Sequence, residues 1–188
     1  MNPKYQLLAQ QGKVFTVSGA QAGTTIAAGH VAPPAAGAAT LLSILNPADS
    51  GVNLEIISAS LGHVSGTPGA GTFTYCHAKQ DASVTAAEAT AIKRCTRTSQ
   101  SATIAAAWSA ATLTGGVVHQ VLAHFPSAPF AGAIAATTEG TAFAQVHDVD
   151  GMIIVQPGWM LTLAPAATGT THIVTCSITY AEVANGNG

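Results

Sequence analysis

The sequence predicts a single all-β domain, an antiparallel β-sandwich, and three observations carry the prediction. Apolar and polar residues alternate with a period of two from Lys13 onward. The alternating runs are short and are separated by Gly, Pro and Asn turn signals. Helical spacing of apolar residues is nearly absent, although alanine is abundant and favours helix by propensity alone. One core suffices for the chain, since 188 residues is a length at which a single domain buries most of its apolar surface.

Taken in order, Met1 to Gln11 differs in composition from the rest of the chain. Tyr5, Leu7 and Leu8 form a small apolar cluster among Asn2, Lys4, Gln6, Gln10 and Gln11. The segment reads equally as a short helix, as an arm that docks on a neighbour, or as packing on its own domain, and Tyr5, Leu7 and Leu8 are the candidate assembly contacts. Val14 to Val17 opens the strand series, Val31 to Ala39 with Pro33-Pro34 reads as an extended loop, and Thr40 to Leu45 runs into the turn Asn46-Pro47. In Asn53 to Val64 the set Ile57, Ala59 and Leu61 is the expected buried face, although Leu54 and Ile56 blur it. Ser65 to Gly71 is a Gly/Pro loop that predicts an antiparallel return over Thr72 to Ala78.

Further strands are expected over Ile104 to Trp108, Gly116 to Phe125, Thr141 to Val146, Met152 to Val155, Met160 to Ala164 and Thr171 to Tyr180. Gln156-Pro157-Gly158 predicts a tight antiparallel connection. Thr85-Ala86-Ala87-Glu88 has capping-box spacing for about two turns of helix. The organisation is therefore an N-terminal arm over 1–12, a β-sandwich over 13–183 and a flexible tail over 184–188.

Composition bounds the function. Hydrophobic residues make up 48% of the chain but charged residues only 7%, against roughly 25% in an ordinary domain. A surface of Ala, Thr, Ser and Gly fits either a plain Thr-rich β surface or one covered by other subunits. Six basic residues against eight acidic ones leave no footprint for nucleic acid, because Lys93, Arg94 and Arg97 are too few to track a phosphate backbone. No window approaches the roughly 18 apolar residues of a membrane span. Met1 to Gln11 lacks the apolar run and cleavage site of a signal peptide, and Cys76, Cys95 and Cys176 are odd in number and widely spaced, as in a chain folding in a reducing cytoplasm.

No catalytic constellation emerges. Asp148 and Asp150 in His147-Asp148-Val149-Asp150-Gly151 lack the further acids of a calcium loop and read as a polar turn between two strands. Seven histidines (30, 63, 77, 119, 124, 147 and 172) show no metal-ligand spacing, and His119 and His124 fall on opposite faces of a strand. There is no G-x-S-x-G elbow, P-loop or dinucleotide fingerprint. The expectation is a non-enzyme with no cofactor, no metal, no nucleic acid and no membrane partner.

Two stretches carry a resemblance. One is Asn46-Pro47-Ala48-Asp49-Ser50-Gly51-Val52-Asn53-Leu54-Glu55-Ile56 with Val64 to Gly71; the other is Asp150-Gly151, Gln156-Pro157-Gly158 with Leu161 and Leu163, Gly169-Thr170, and the closing Ile178 to Val183. Together they resemble small β-sandwich virion proteins of tailed bacteriophages. The resemblance implies a jelly-roll-like domain, often a homotrimer, displayed on a capsid or tail, and brings no catalytic residues. It implies a capsid decoration or cement protein on the capsid exterior, made in the host cytoplasm, whose partner is the major capsid protein. Bridging neighbouring capsid subunits would stabilise the head, with Tyr5 and Leu8 as a clasp. The alternatives are a tail, baseplate or fibre-base component, and a carbohydrate-binding module using Trp108 or Trp159 as a stacking platform.

Overall fold

Alternation along the strands builds two opposed sheets. In the last strand Val174, Cys176, Ile178 and Tyr180 are buried while Thr175, Ser177 and Thr179 between them are half-exposed, the pattern of a strand with one face on a core. The computed structural model describes residues 2–19, 23–25, 40–66, 73–79, 92–95, 103–109, 120–124, 144–165 and 172–186. These form helix α1 (Pro3–Gln10) and strands β1 (Val14–Ser18), β2 (Thr24–Thr25), β3 (Leu42–Leu45), β4 (Val52–Ser65), β5 (Phe73–Lys79) and β6 (Ile92–Cys95). Then follow β7 (Ala106–Ser109), β8 (Gln120–His124), β9 (Ala144–Val155), β10 (Trp159–Pro165) and β11 (Ile173–Ala184).

The first sheet has the order β6-β1-β11-β4-β9, with β2 added on β11, and the second has the order β7-β3-β10-β5-β8. Every pairing is antiparallel. With β2, β6 and β7 set aside, eight strands remain, and in chain order they lie 1-8-3-6 in one sheet and 2-7-4-5 in the other. That is the double Greek key of a jelly roll. The core between the sheets holds Phe15, Val17, Leu42, Ile44, Leu54, Ile56, Phe73, Tyr75, Leu161, Leu163, Ile178 and Tyr180, all buried. The all-β antiparallel sandwich is therefore the observed fold.

Two expected hairpins are corrected. β4 pairs with β11 and β9, whereas β5 pairs with β10 and β8, so Ser65 to Gly71 joins strands of different sheets. Gln156-Pro157-Gly158 likewise takes the chain from β9 to β10 across the sandwich, turning on the Trp159 N–H to Gln156 carbonyl bond (3.0 Å) and on Gly158 at φ 80°. A Gly/Pro turn reverses the chain but does not choose the sheet; the apolar face of each returning strand chooses it by seeking another apolar face. Asn46 fastens this end of the sandwich. Its Nδ2 donates to the carbonyls of Val52 (2.7 Å) and Val155 (2.9 Å), while its backbone joins Trp159 and Gly158.

The blurred face of β4 has a physical cause. Leu54 and Ile56 point into the core, as do Ala59 and Leu61, because Ile57 is an extra residue where Tyr180 pairs with Ile56 and Thr179 with Ser58. This bulge turns Ile57 to the outer side, where it is buried with Tyr5, Val14 and Ala181. The expectation that Ile57, Ala59 and Leu61 share one face is corrected accordingly. Opposite it, the expected strands 141–146 and 152–155 are joined as one strand, β9, with 141–143 outside the described residues. The polar turn expected at His147 to Asp150 is instead an in-strand bulge: pairing jumps from Ser58–Asp148 to Ile56–Ile153, with Asp150 (φ 48°) and Gly151 (φ 83°) left-handed and Val149 in the core.

The N-terminal segment is a helix docked on this bulge. Asn2 Oδ1 accepts from the Lys4 N–H at 3.1 Å, Pro3 occupies the first turn, and Gly12 at φ 72° ends the helix with Gly12 N–H to Ala9 O and Lys13 N–H to Leu8 O bonds. At the other end of the chain, Ala184 and Asn185, expected in the flexible tail, are held by backbone bonds. Ala184 pairs with Val52, and the Asn185 N–H donates to the Gly51 carbonyl at 3.1 Å. The loop expected over 31–39, the capping box at 85–88, His30, His119 and Arg97 lie outside the described residues.

Candidate assembly surface

The three candidate contacts on α1 separate. Tyr5 is 3% exposed and donates from its hydroxyl to Glu55 Oε2 (3.2 Å), and Lys4 Nζ reaches the same carboxylate at 2.7 Å. Burial first, then the Glu55 charge, pushes the Tyr5 phenol up to about 12. Leu8 is half-buried beside it, and only Leu7 stands out at 56% exposure. A Cβ on Gly151, whose φ is 83°, would overlap the Tyr5 hydroxyl, so any larger residue there would have to displace the docked Tyr5 side chain. The helix is thus fastened to its own domain through Tyr5, and Leu7 is the apolar residue it leaves outward.

The outer face of the first sheet is lined by small hydroxyl side chains in two rows. One row reads Thr16–Thr179–Ser58–Asp148 and the other Ser18–Ser177–Ser60–Val146, each running straight across β1, β11, β4 and β9. Hydroxyls bond along the rows, Thr16 to Thr179 at 3.1 Å and Ser60 to Ser177 at 2.7 Å. All six Ser and Thr residues are half-exposed. Short side chains in register leave a shallow surface whose donors and acceptors are open to a partner, and only Asp148 in the two rows bears charge. Alternating Ser and Thr are visible in the sequence at 16–18, 58–60 and 175–179. The registers that join them into rows are not visible there.

At the margin of both sheets the apolar side chains Val121 and Leu122 of β8 and Val146, Met152 and Ile154 of β9 are exposed, Met152 at 82%. Between these edges lies a cavity of about 90 Å³ lined by His77, Leu122, Ile153, Ile154, Trp159 and Met160, among others. Trp159 is half-buried, packs on the core and stacks on His77 with centroids 5.4 Å apart at 17°. Trp108 is buried in a cluster with Leu45, Ala78 and Met160 on the outer side of the second sheet.

Burial is the leading cause of each shift among the described titratable groups. His172 and His63 lie with ring centroids 5.0 Å apart, and burial, reinforced by His63, lowers the His172 imidazole to about 4. His147 Nδ1 is bonded to the Tyr75 hydroxyl at 3.0 Å; burial lowers the imidazole and raises the phenol. Cys76 and Cys176 are buried free thiols, both raised by burial, Cys176 to about 12, and hence held away from the reactive thiolate. Among the described residues no three His, Cys, Asp or Glu side chains are grouped to hold a metal ion, and no helix is long and apolar enough to cross a membrane. Lys93 and Arg94 fall on β6 opposite Val17 and Thr16.

These features define a jelly roll with one open hydroxyl-lined face and an apolar margin. No family model, curated protein or solved structure matches the chain.

Proposed function

We propose that this chain is a non-catalytic structural protein of a tailed-phage particle, acting as a decoration or cement protein on the capsid exterior. In this role it self-associates as a homotrimer and bridges neighbouring major capsid subunits. The observation that carries the reading is the open face of the first sheet: six half-exposed hydroxyls in two registered rows on a chain with 7% charged residues. Such a face adds hydrogen bonds and apolar contact over a broad footprint with little charge to desolvate. Jelly rolls recur in viral capsid proteins, and also in lectins and cupins, so the fold permits the reading without choosing it.

The carbohydrate-module alternative ranks lower because Trp159 is stacked on His77 and packed on the core, and Trp108 is buried, leaving neither as an open platform. A tail, baseplate or fibre-base position shares the same surface logic and differs in where the partner sits.

The test is addition of the purified protein to expanded capsids, followed by imaging of the particles. Saturable, symmetric occupancy is expected, and Ser60→Lys or Ser177→Lys should abolish it. Absence of capsid binding, or occupancy unchanged in both variants, overturns the reading; density confined to the tail moves the protein to that site.

A further inference from the structure

We propose that the margin formed by β8 and β9 is a self-association surface, and that its occupant is another copy of this chain. The proposal rests on that reading only for the homotrimer, whose contact it locates; capsid binding is not used to argue it.

Four side chains define the surface. Val121, Leu122, Met152 and Ile154 are 40%, 47%, 82% and 51% exposed, and Leu122 and Ile154 both border the cavity of about 90 Å³. Their exposed area is roughly 400 Å², near the apolar share of a standard footprint of ~800 Å² per partner, of which a little over half is non-polar. The cavity is far below the ~300 Å³ of a small-molecule site, but it has the scale of one apolar side chain.

Both halves of a knob-and-hole contact lie on the same strand. Met152 stands almost fully exposed, and its neighbours Ile153 and Ile154 line the cavity. A patch carrying its own complement closes on copies of itself around a two-fold or three-fold axis, each Met152 entering the cavity of the next copy. Methionine suits the role, being unbranched and adaptable. The four side chains bear no charge, so no oppositely charged partner is called for.

The contact runs through side chains. Among the described residues β9 is the outermost strand of its sheet, and the left-handed Asp150–Gly151 bulge interrupts its outer edge as a template for continued pairing. A partner therefore meets Met152 and Ile154 rather than an unbroken backbone ladder.

Sedimentation of the full chain over a range of micromolar concentrations tests the proposal. Reversible self-association is expected. Met152→Glu and Ile154→Lys should each weaken it about 100-fold, as for a central contact residue, with the circular dichroism and melting curve unchanged. Thr25→Lys, at the exposed end of β2 on another border of the sheet, should leave it unchanged. A wild-type chain that stays monomeric throughout overturns the proposal, as does assembly that persists in both β9 variants. Loss of capsid binding in those variants from a monomeric wild type would give the surface to a different partner and overturn it equally.

Discussion

The outer faces of the two sheets use the same residue types for opposite ends. On the first sheet Thr16, Ser58, Ser60, Ser177 and Thr179 are half-exposed in two rows, along which Thr16 bonds Thr179 and Ser60 bonds Ser177. On the second, Ser43, Thr74 and Thr162 are buried, with Ser43 bonded to Thr162 at 2.8 Å and Thr74 to the Ala164 carbonyl at 3.1 Å. Leu45, Ala78, Trp108 and Met160 form a buried cluster on the same face. The difference teaches that a hydroxyl on a strand does not declare its environment. Buried, it must be satisfied inside the chain; half-exposed, it keeps capacity for a partner.

A charge on the closed face would break this contrast most severely. Thr162→Lys should cost on the order of 4 kcal/mol, because an unpaired cation would be buried beside Ser43, and urea unfolding should show a collapsed or absent transition. Next is the one described covered corner of the open face. Gly151→Ala should cost about 2 kcal/mol through its left-handed backbone and its clash with the Tyr5 hydroxyl. Limited proteolysis should then cut α1 well before the sandwich.

A smaller effect concerns the His63–His172 corner. The folded-state value of His172 is depressed to about 4, so between its ordinary value of 6.5 and about 4 the unfolded chain binds a proton that the folded chain refuses. Stability from this group is therefore greatest above 6.5 and falls on acidification through that window, by on the order of 1–2 kcal/mol. The difference between wild type and His172→Gln in pH-dependent unfolding should shrink toward acid. The smallest effect is expected from Ser177→Lys, within about 0.5 kcal/mol of wild type, because the side chain projects from the open face. A large loss there would show that the two faces are less different than their exposure indicates.

Much of the fold was legible in strand positions. Val14 to Val17, Thr40 to Leu45, Asn53 to Val64 and Thr72 to Ala78 all fall on or around observed strands, since alternation reports burial on one side. What alternation could not report was the partner. Ser65 to Gly71 and Gln156 to Gly158 look like hairpin turns because local chemistry encodes reversal, while sheet membership depends on residues far along the chain. Leu54, Ile56 and Ile57 looked contradictory because one inserted residue changes face at a bulge. The hydroxyl rows stayed hidden for a related reason: each contributes a short Ser/Thr alternation from a separate segment, and only the register between β1, β11 and β4 aligns them. Tyr5 was picked out as apolar among polar neighbours, but its match to Gly151 spans most of the sequence.

The position of β11 bears on how the chain is made. It lies between β1 and β4 at the centre of the first sheet, although it is the last of the described strands. During synthesis β1 and β4 must wait for residues 173–184 before either gains this neighbour, so the sheet closes through its most distant pairings and should fold slowly. A ribosome that stalls before Ile173 would release a product with β1 and β4 each missing a partner on the side that β11 fills. Such nascent chains would be the ones most dependent on chaperones, and their half-built sheet would be the natural seed of aggregates during overexpression.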